Sequence, residues 1–297
     1  MEWQKARLVA IVLGVTGLSA SGWVGGGRSV AAADLAQAAS ATQAPDPEPD
    51  LSAPRPIAAF DSVWIEEMTW MEVRDAIKDG KTTAIIAAGS TEQNGPYVPT
   101  GKHNFILRLV AEAIARQLGD ALVAPIVPFE SGPWSSVTPG TFQVRPETFQ
   151  AWVNDEANSL KANGFHHIVL LGDSGGDQEG LDAVAKVLSN EWVSTGTTIH
   201  FVREYYDSWQ DTDGALDSLG VPKAVDEGIH DDYSVNSILS VLDPEKIRFK
   251  ERVAAGKASI NGQTLLPLDR TIANGRKLIS IRANITVNAI KKALANK

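Results

Sequence analysis

The stretch "GSTEQNGPYVPTGKHN" gathers Glu92, Gln93, Asn94, Lys102, His103 and Asn104 just beyond an apolar run. A carboxylate, three amides, an ammonium and an imidazole in one short stretch offer an acid–base or metal-binding pair (Glu92 with His103), with polar groups around it to hold a substrate. The plainer reading is that Glu92 accepts loop N–H groups and His103 caps a helix. A second group is "GDSGGD", Gly172–Asp177. Its spacing lacks the dinucleotide and P-loop fingerprints, and Asp173 and Asp177 would repel phosphate. It does match G-x-S-x-G, so Ser174 is a candidate nucleophile, with His230 as base and Glu179 or Asp207 as the acid. The third group is "GIHDDYS": His230 carries a possible catalytic imidazole, while Asp231 and Asp232 suit a helix start as cap and dipole partners.

Side chains this scattered need a scaffold that gathers them. "TTAIIAAGS" is continuously apolar, as in a parallel strand covered on both faces. "ALVAPIVPF", "HHIVLLG" and "TTIHFVREYY" read as further strands. Between them lie amphipathic helical patterns: one capped by Thr69 and stopped by Gly80, one from His103 to Gly119, one with Pro146 near its start, and "QEGLDAVAKVLSNEW". "DDYSVNSILSVL" is helical, and "LISIRANITVNAIKKALANK" reads as a closing amphipathic helix. Alternating strands and helices predict an α/β fold, three layers α/β/α with a mainly parallel sheet. Ligands of such sheets bind beyond the carboxyl ends of the strands, where both the Gly89–Asn104 and Gly172–Asp177 loops emerge.

The chain has 297 residues, 43% hydrophobic and 21% charged, which suffices for one large domain. A net charge of -9 gives no basic footprint for nucleic acid. Without cysteine, disulfides, thiolate zinc sites and thiol nucleophiles are excluded. Residues 1–33 carry Lys5 and Arg7, an apolar run from Leu8 and small residues to Ala33, the plan of a secretory signal peptide; an uncleaved anchor is the rival reading. Residues 34–60, rich in Ala, Pro and Asp, read as a flexible linker, leaving 61–297 as the folded domain. Secretion without cysteine suits a bacterial periplasm, with no stable membrane span once the signal is removed.

The run "MTWMEVRDAIKDGKTTAIIAAGSTEQNGPYVPTGKHNFI" resembles the opening of the creatininase (creatinine amidohydrolase) family, in which a strand ends in Gly-Ser-Thr-Glu-Gln-His-Gly-Pro-His followed by Leu-Pro-x-Gly-Thr-Asp. "TPGTFQVRPETF", "GFHHIVLLGDSGGD" and "GIHDDYSVNSILSVLDPEKI" resemble later family segments in the same order, so that the resemblance runs from Trp64 to Ile247. It implies a three-layer fold, a homo-oligomer, a small-molecule substrate and a divalent metal pair, zinc or manganese, activating water to cleave a C–N bond, often in a cyclic amide. Carried over by position, Glu92 is the family's glutamate, Asn94 stands at a histidine, His103 at the bridging aspartate and Ser174 at another histidine. His230 is retained, and the acids after it fall at Tyr233 and Val235 or Asn236. Three outcomes are then expected in turn. One metal is held by Glu92, His103, Asp173 and Asp177, with His230 and Glu92 catalytic and Asn94, Tyr97, Lys102, Trp134 and Ser174 around the substrate. Otherwise the fold is a non-catalytic binding module, or Ser174 is the nucleophile.

Overall fold

Ile85 and Ala87 point into one apolar core while Ala84, Ile86 and Ala88 point into another, so a single strand serves two layers of helices. That strand, β1 (Thr83–Ala88), is wholly buried, which is why its sequence is apolar without alternation. It pairs in parallel with β2 (Ala121–Val123) on one side and β3 (His167–Gly172) on the other, and β3 pairs in parallel with β4 (Thr198–Phe201). The sheet order is β2-β1-β3-β4. The computed structural model describes residues 49–133, 138–225 and 230–295. The expected signal peptide, most of the linker and Trp134 lie outside them. Ala53–Lys297 is one compact unit; of the segment before it, the short turn in which Ser52 bonds Asp50 at 2.6 Å is described.

On the first face lie α1 (Trp70–Lys78), α3 (Pro146–Ala162) and α4 (Gln178–Glu191). Thr69 and Glu72 form the capping box that starts α1, and Pro146 occupies the first turn of α3, where its missing N–H costs nothing. The expected linker reaches this layer: Arg55 Nε donates to Asp75 at 2.6 Å and the Phe60 amide to Glu72 at 2.6 Å. The opposite face holds α2 (Lys102–Leu118), α5 (Glu204–Ala215), α6 (Tyr233–Leu242) and α8 (Leu268–Ala295), with a short α7 (Phe249–Ala254) and the hairpin β5 (Ser259–Ile260)/β6 (Gln263–Thr264) between the last two. Buried Leu278, Ile279, Ala283, Val287 and Ile290 form the helical stripe of α8. Gly275 lets α8 come close to α6, since a Cβ there would stand 2.1 Å from the Ser237 carbonyl oxygen.

Three boundaries differ from the sequence reading. The second strand stops at Val123 because Pro125 and Pro128 cannot donate to a ladder; Val127 regains one bridge to Ala88. The fourth strand ends at Phe201, and "EYYDSWQDTDGA" is helix, its first turn carrying Glu204 and Asp207 where a helix dipole favours acids. The closing helix begins at Leu268 rather than Leu278. Among the described residues no helix is long and apolar enough to cross a membrane.

Candidate functional site

The loops after β1 and β3 do meet beyond the carboxyl edge of the sheet, and the start of α2 fills the gap between them. Gly89, at the exit of β1, has no room for a side chain: a Cβ would lie 2.1 Å from Asn104 Oδ1, so glycine here lets α2 begin against the strand end. The loop that follows is tied at the Glu92 amide, which donates to the Thr100 carbonyl at 3.0 Å, and at the Gln93 amide, which donates to Thr141 Oγ1 at 3.0 Å. Glu92 and His103 are thereby brought face to face.

The imidazole of His103 bridges two carboxylates. Nε2 lies 2.8 Å from Glu92 Oε1 and Nδ1 lies 2.8 Å from Asp173 Oδ2. Glu92 Oε1 also meets His230 Nδ1 at 3.1 Å and Lys102 Nζ at 3.5 Å, while Lys102 donates to the His230 carbonyl at 3.3 Å. The other oxygen of Asp173 accepts from the Tyr205 hydroxyl at 2.7 Å and from Arg282 Nη2 at 2.8 Å, and neither side chain of that ion pair is exposed. His230 holds a left-handed backbone conformation, φ 52°, which is uncommon outside glycine and which the surrounding contacts must maintain.

Burial raises the Glu92 carboxyl, yet hydrogen bonds from His103 and His230 and the charges of His103 and Lys102 carry it far below the ordinary carboxylate range. Asp173 behaves the same way, burial being outweighed by Arg282, His103 and Tyr205. Burial depresses His103, but hydrogen bonds to Asp173 and Glu92 lift it above the ordinary histidine value. Burial lowers Lys102 against the pull of Glu92 and Asp173. Two ionised acids are thus held between cations.

A cavity of about 500 Å³ opens on this cluster, with Glu92, Lys102, His103, Asp173, Ser174 and His230 in its wall. Several expected residues are elsewhere. Asn94 locks its own loop, donating to the Glu92 and Pro99 carbonyls at 3.0 and 2.9 Å, and Tyr97 lies under the Arg252 guanidinium at 4.4 Å; neither lines the cavity. Asp177 turns back to accept the Ser174 amide at 3.1 Å, and burial drives its carboxyl well above the usual range. Ser174 Oγ donates to Glu130 rather than to His230, which removes the serine–histidine pair from the arrangement. Asp207, on α5, lines the cavity but pairs with Arg203 just before the helix.

The sequence reading did not include Glu130, Tyr205 or Arg282. Glu130 had a usable signal, since it follows a strand-like run as Glu92 does. Arg282 had another: a guanidinium on the apolar stripe of the closing helix needs a buried acid. Tyr205 lies in "TTIHFVREYY", which reads as strand through Tyr206, whereas the helix begins at Glu204.

The metal ligands expected from the resemblance do not fit an ion as the residues stand. His103 spends both ring nitrogens on carboxylates, Asp173 is saturated by three donors, and Glu92 Oε1 already faces His103, His230 and the Lys102 ammonium. Among the described residues, no group of three or more His, Asp or Glu converges as a metal site.

A family model described as Creatininase: Creatinine amidohydrolase matches residues 66–280. The chain is 31% identical over 114 residues to 3-dehydro-scyllo-inosose hydrolase of Thermotoga maritima, a match covering 38% of this chain and 36% of that one. It is 23% identical over 231 residues to the mycofactocin precursor peptide peptidase of Mycolicibacterium smegmatis, covering 70% of this chain and 84% of the other. Among solved structures, a mutant creatininase of Zn-Zn type is similar at a TM-score of 0.57 and 19% identity, covering 79% of this chain and 99% of that one. A creatinine amidohydrolase matches at 0.55 and 20%, covering 79% and 97%, and a manganese creatininase at 0.53 and 19%, covering 78% and 97%. At these identities the structural likeness speaks to the fold, which is the three-layer α/β arrangement described above.

Proposed function

The chain belongs to the creatininase (creatinine amidohydrolase) family, and from that premise we propose that it hydrolyses a C–N bond of a small amide, cyclic or open, in the cavity beside Glu92 and His230. The observation that carries the reading is the Glu92–His230 contact at 3.1 Å on the cavity wall. An ionised Glu92 accepts the Nδ1 proton of His230 and so leaves Nε2 as the basic nitrogen, the arrangement a general base requires. Nε2 takes a proton from water as the water oxygen attacks the amide carbonyl. The tetrahedral oxyanion forms beside Lys102, whose ammonium has three N–H groups, only two of them directed at Glu92 and the His230 carbonyl. The C–N bond then breaks and His230 Nε2–H returns the proton to the leaving nitrogen, yielding an acid and an amine. His103 and Asp173 hold Glu92 in place and touch no reacting atom.

The other wall carries Glu130, which accepts from Ser174 and from Gln143 at 3.0 Å, and Asp207 and Asp232. Burial pushes Asp232 up to about 6, so this side accepts N–H groups more readily than it accepts anions. A substrate bearing N–H or a positive charge suits it. The positions that departed from the family support a second reading, binding without turnover: Asn94 and Ser174 are committed to hydrogen bonds within the protein.

The test is amine release from a panel of cyclic amides, ureides and short peptides, alongside calorimetry with the same compounds. Turnover by the wild type that falls about 10²–10⁴-fold in His230→Asn, with affinity retained, supports the general base. Tight binding with no turnover of any compound favours the binding module and rejects the hydrolase.

A further inference from the structure

We propose that the centre of this site is neutralised from within, Lys102, His103 and Arg282 supplying the positive charge around Glu92 and Asp173, and that it takes up no divalent cation. The inference shares only its location with the hydrolase reading.

The first support is the bridge itself. A neutral imidazole carries one N–H and can donate to one acceptor. His103 stands 2.8 Å from a carboxylate oxygen at each ring nitrogen, and two ionised acceptors at such distances call for two donors, which is the imidazolium. The second support is the count of charge. At the His103 bridge itself two carboxylates face three cationic side chains, all nearly or wholly buried, while Glu130, Asp207 and Asp232 stand on the opposite wall of the cavity. An ion-binding site needs the opposite balance, a surplus of anionic or neutral donors facing inward. A divalent ion arriving here would meet the repulsion of an ammonium and an imidazolium.

The third support is that Asp173, which faces His103 from the other side, has both oxygens committed to donors within the protein. Asp173 Oδ1 is shared by Tyr205 and Arg282, and its Oδ2 by His103. Arg282 is itself anchored, donating through Nε to Ser208 at 3.1 Å and stacking over Trp209 at 3.9 Å, so it cannot swing away to free the carboxylate. The cation that holds Asp173 arrives from α8, remote in sequence from the motif loops. In this arrangement the imidazolium does the positional work of an ion: it joins Glu92 to Asp173 and thereby fixes the oxygen that orients His230.

The experiment uses the full chain, purified without chelator or metal-affinity tag. Elemental mass spectrometry measures bound zinc, manganese and iron, and thermal melts are recorded with EDTA and with added zinc or manganese. The expected result is substoichiometric metal and a melting temperature that neither chelator nor ion moves. Nitrogen-15 spectra of the histidines should show both ring nitrogens of His103 protonated at neutral pH. A stoichiometric ion that survives dialysis and is lost in Glu92→Gln overturns the proposal, as does a His103 ring with one unprotonated nitrogen. Ion uptake that is unchanged in Glu92→Gln lies elsewhere on the chain and counts in favour. None of these readings needs turnover. Metal at Glu92 would therefore defeat this inference and leave the hydrolase standing, whereas absent turnover would leave the inference untouched.

Discussion

Arg282 and Asp173 meet at 2.8 Å with no exposed surface on either side chain, and the hydroxyl of Tyr205 completes the acid's shell. Removing one member of such a pair strands a buried charge, which costs more than the pair contributes as a whole. Arg282→Met is therefore expected to destabilise the fold by about 3–5 kcal/mol in urea unfolding. Adding Asp173→Asn to it should recover part of that loss, because the stranded charge is gone. If the double variant is no more stable than the single one, Arg282 matters through packing on Tyr205 and Trp209 instead. The same pair reaches the chemistry indirectly. Asp173 holds His103, His103 holds Glu92, and Glu92 orients His230, so the conservative Asp173→Asn should lower kcat while leaving KM nearly unchanged.

At the scale of elements, the site depends on helices arriving at close range. α8 can present Arg282 only because Gly275 lets it approach α6, with the Ser237 carbonyl 2.1 Å from where a Cβ would stand. Backbone cannot yield as a side-chain tip can. Gly275→Ala is expected to cost about 1–3 kcal/mol, the usual range for overpacking, and more than helix propensity would return. A neutral or stabilising outcome in thermal melts would mean that α8 slides without loss. The start of α1 offers a milder case. Thr69 and Glu72 satisfy each other's backbone groups, and Glu72 also accepts the Phe60 amide at 2.6 Å. Thr69→Ala should cost about 1 kcal/mol, and Glu72→Ala more, because it also releases the segment before the helix.

At the scale of the whole molecule, Glu156 on α3 stands out, far from the candidate site in its chemistry. Both its carboxylate oxygens are buried without a hydrogen-bond partner, and burial pushes it up from 4.5 to about 7. The folded chain therefore holds a proton that the unfolded chain releases between those values. Its contribution to stability is complete below about 4.5 and is lost as pH rises through about 7. Glu156→Gln should raise the melting temperature at pH 8 and make little difference near pH 4.5. An equal gain at both pH values would show that the effect is not one of ionisation. The homo-oligomer that the family resemblance implies is checked by sedimentation at the same pH values.

The layers were legible in the sequence because burial on both faces leaves a direct trace. Unbroken apolar runs made β1 and β3, and the cap residues Thr69, Pro146 and Asp232 stand at helix starts as the local chemistry requires. The meeting of Glu92, His103 and Asp173 was legible too, since parallel strands deliver their following loops to one edge. Composition could not tell a strand from the helix at Tyr205, where aromatic residues suit both. Nor could it decide the partners. Whether His103 faces an ion or two carboxylates, and whether Ser174 meets His230 or Glu130, turns on distances across the fold. Hydrogen bonding and charge pairing act over a few ångströms between residues far apart along the chain, Arg282 and Asp173 above all, and only tertiary packing sets those.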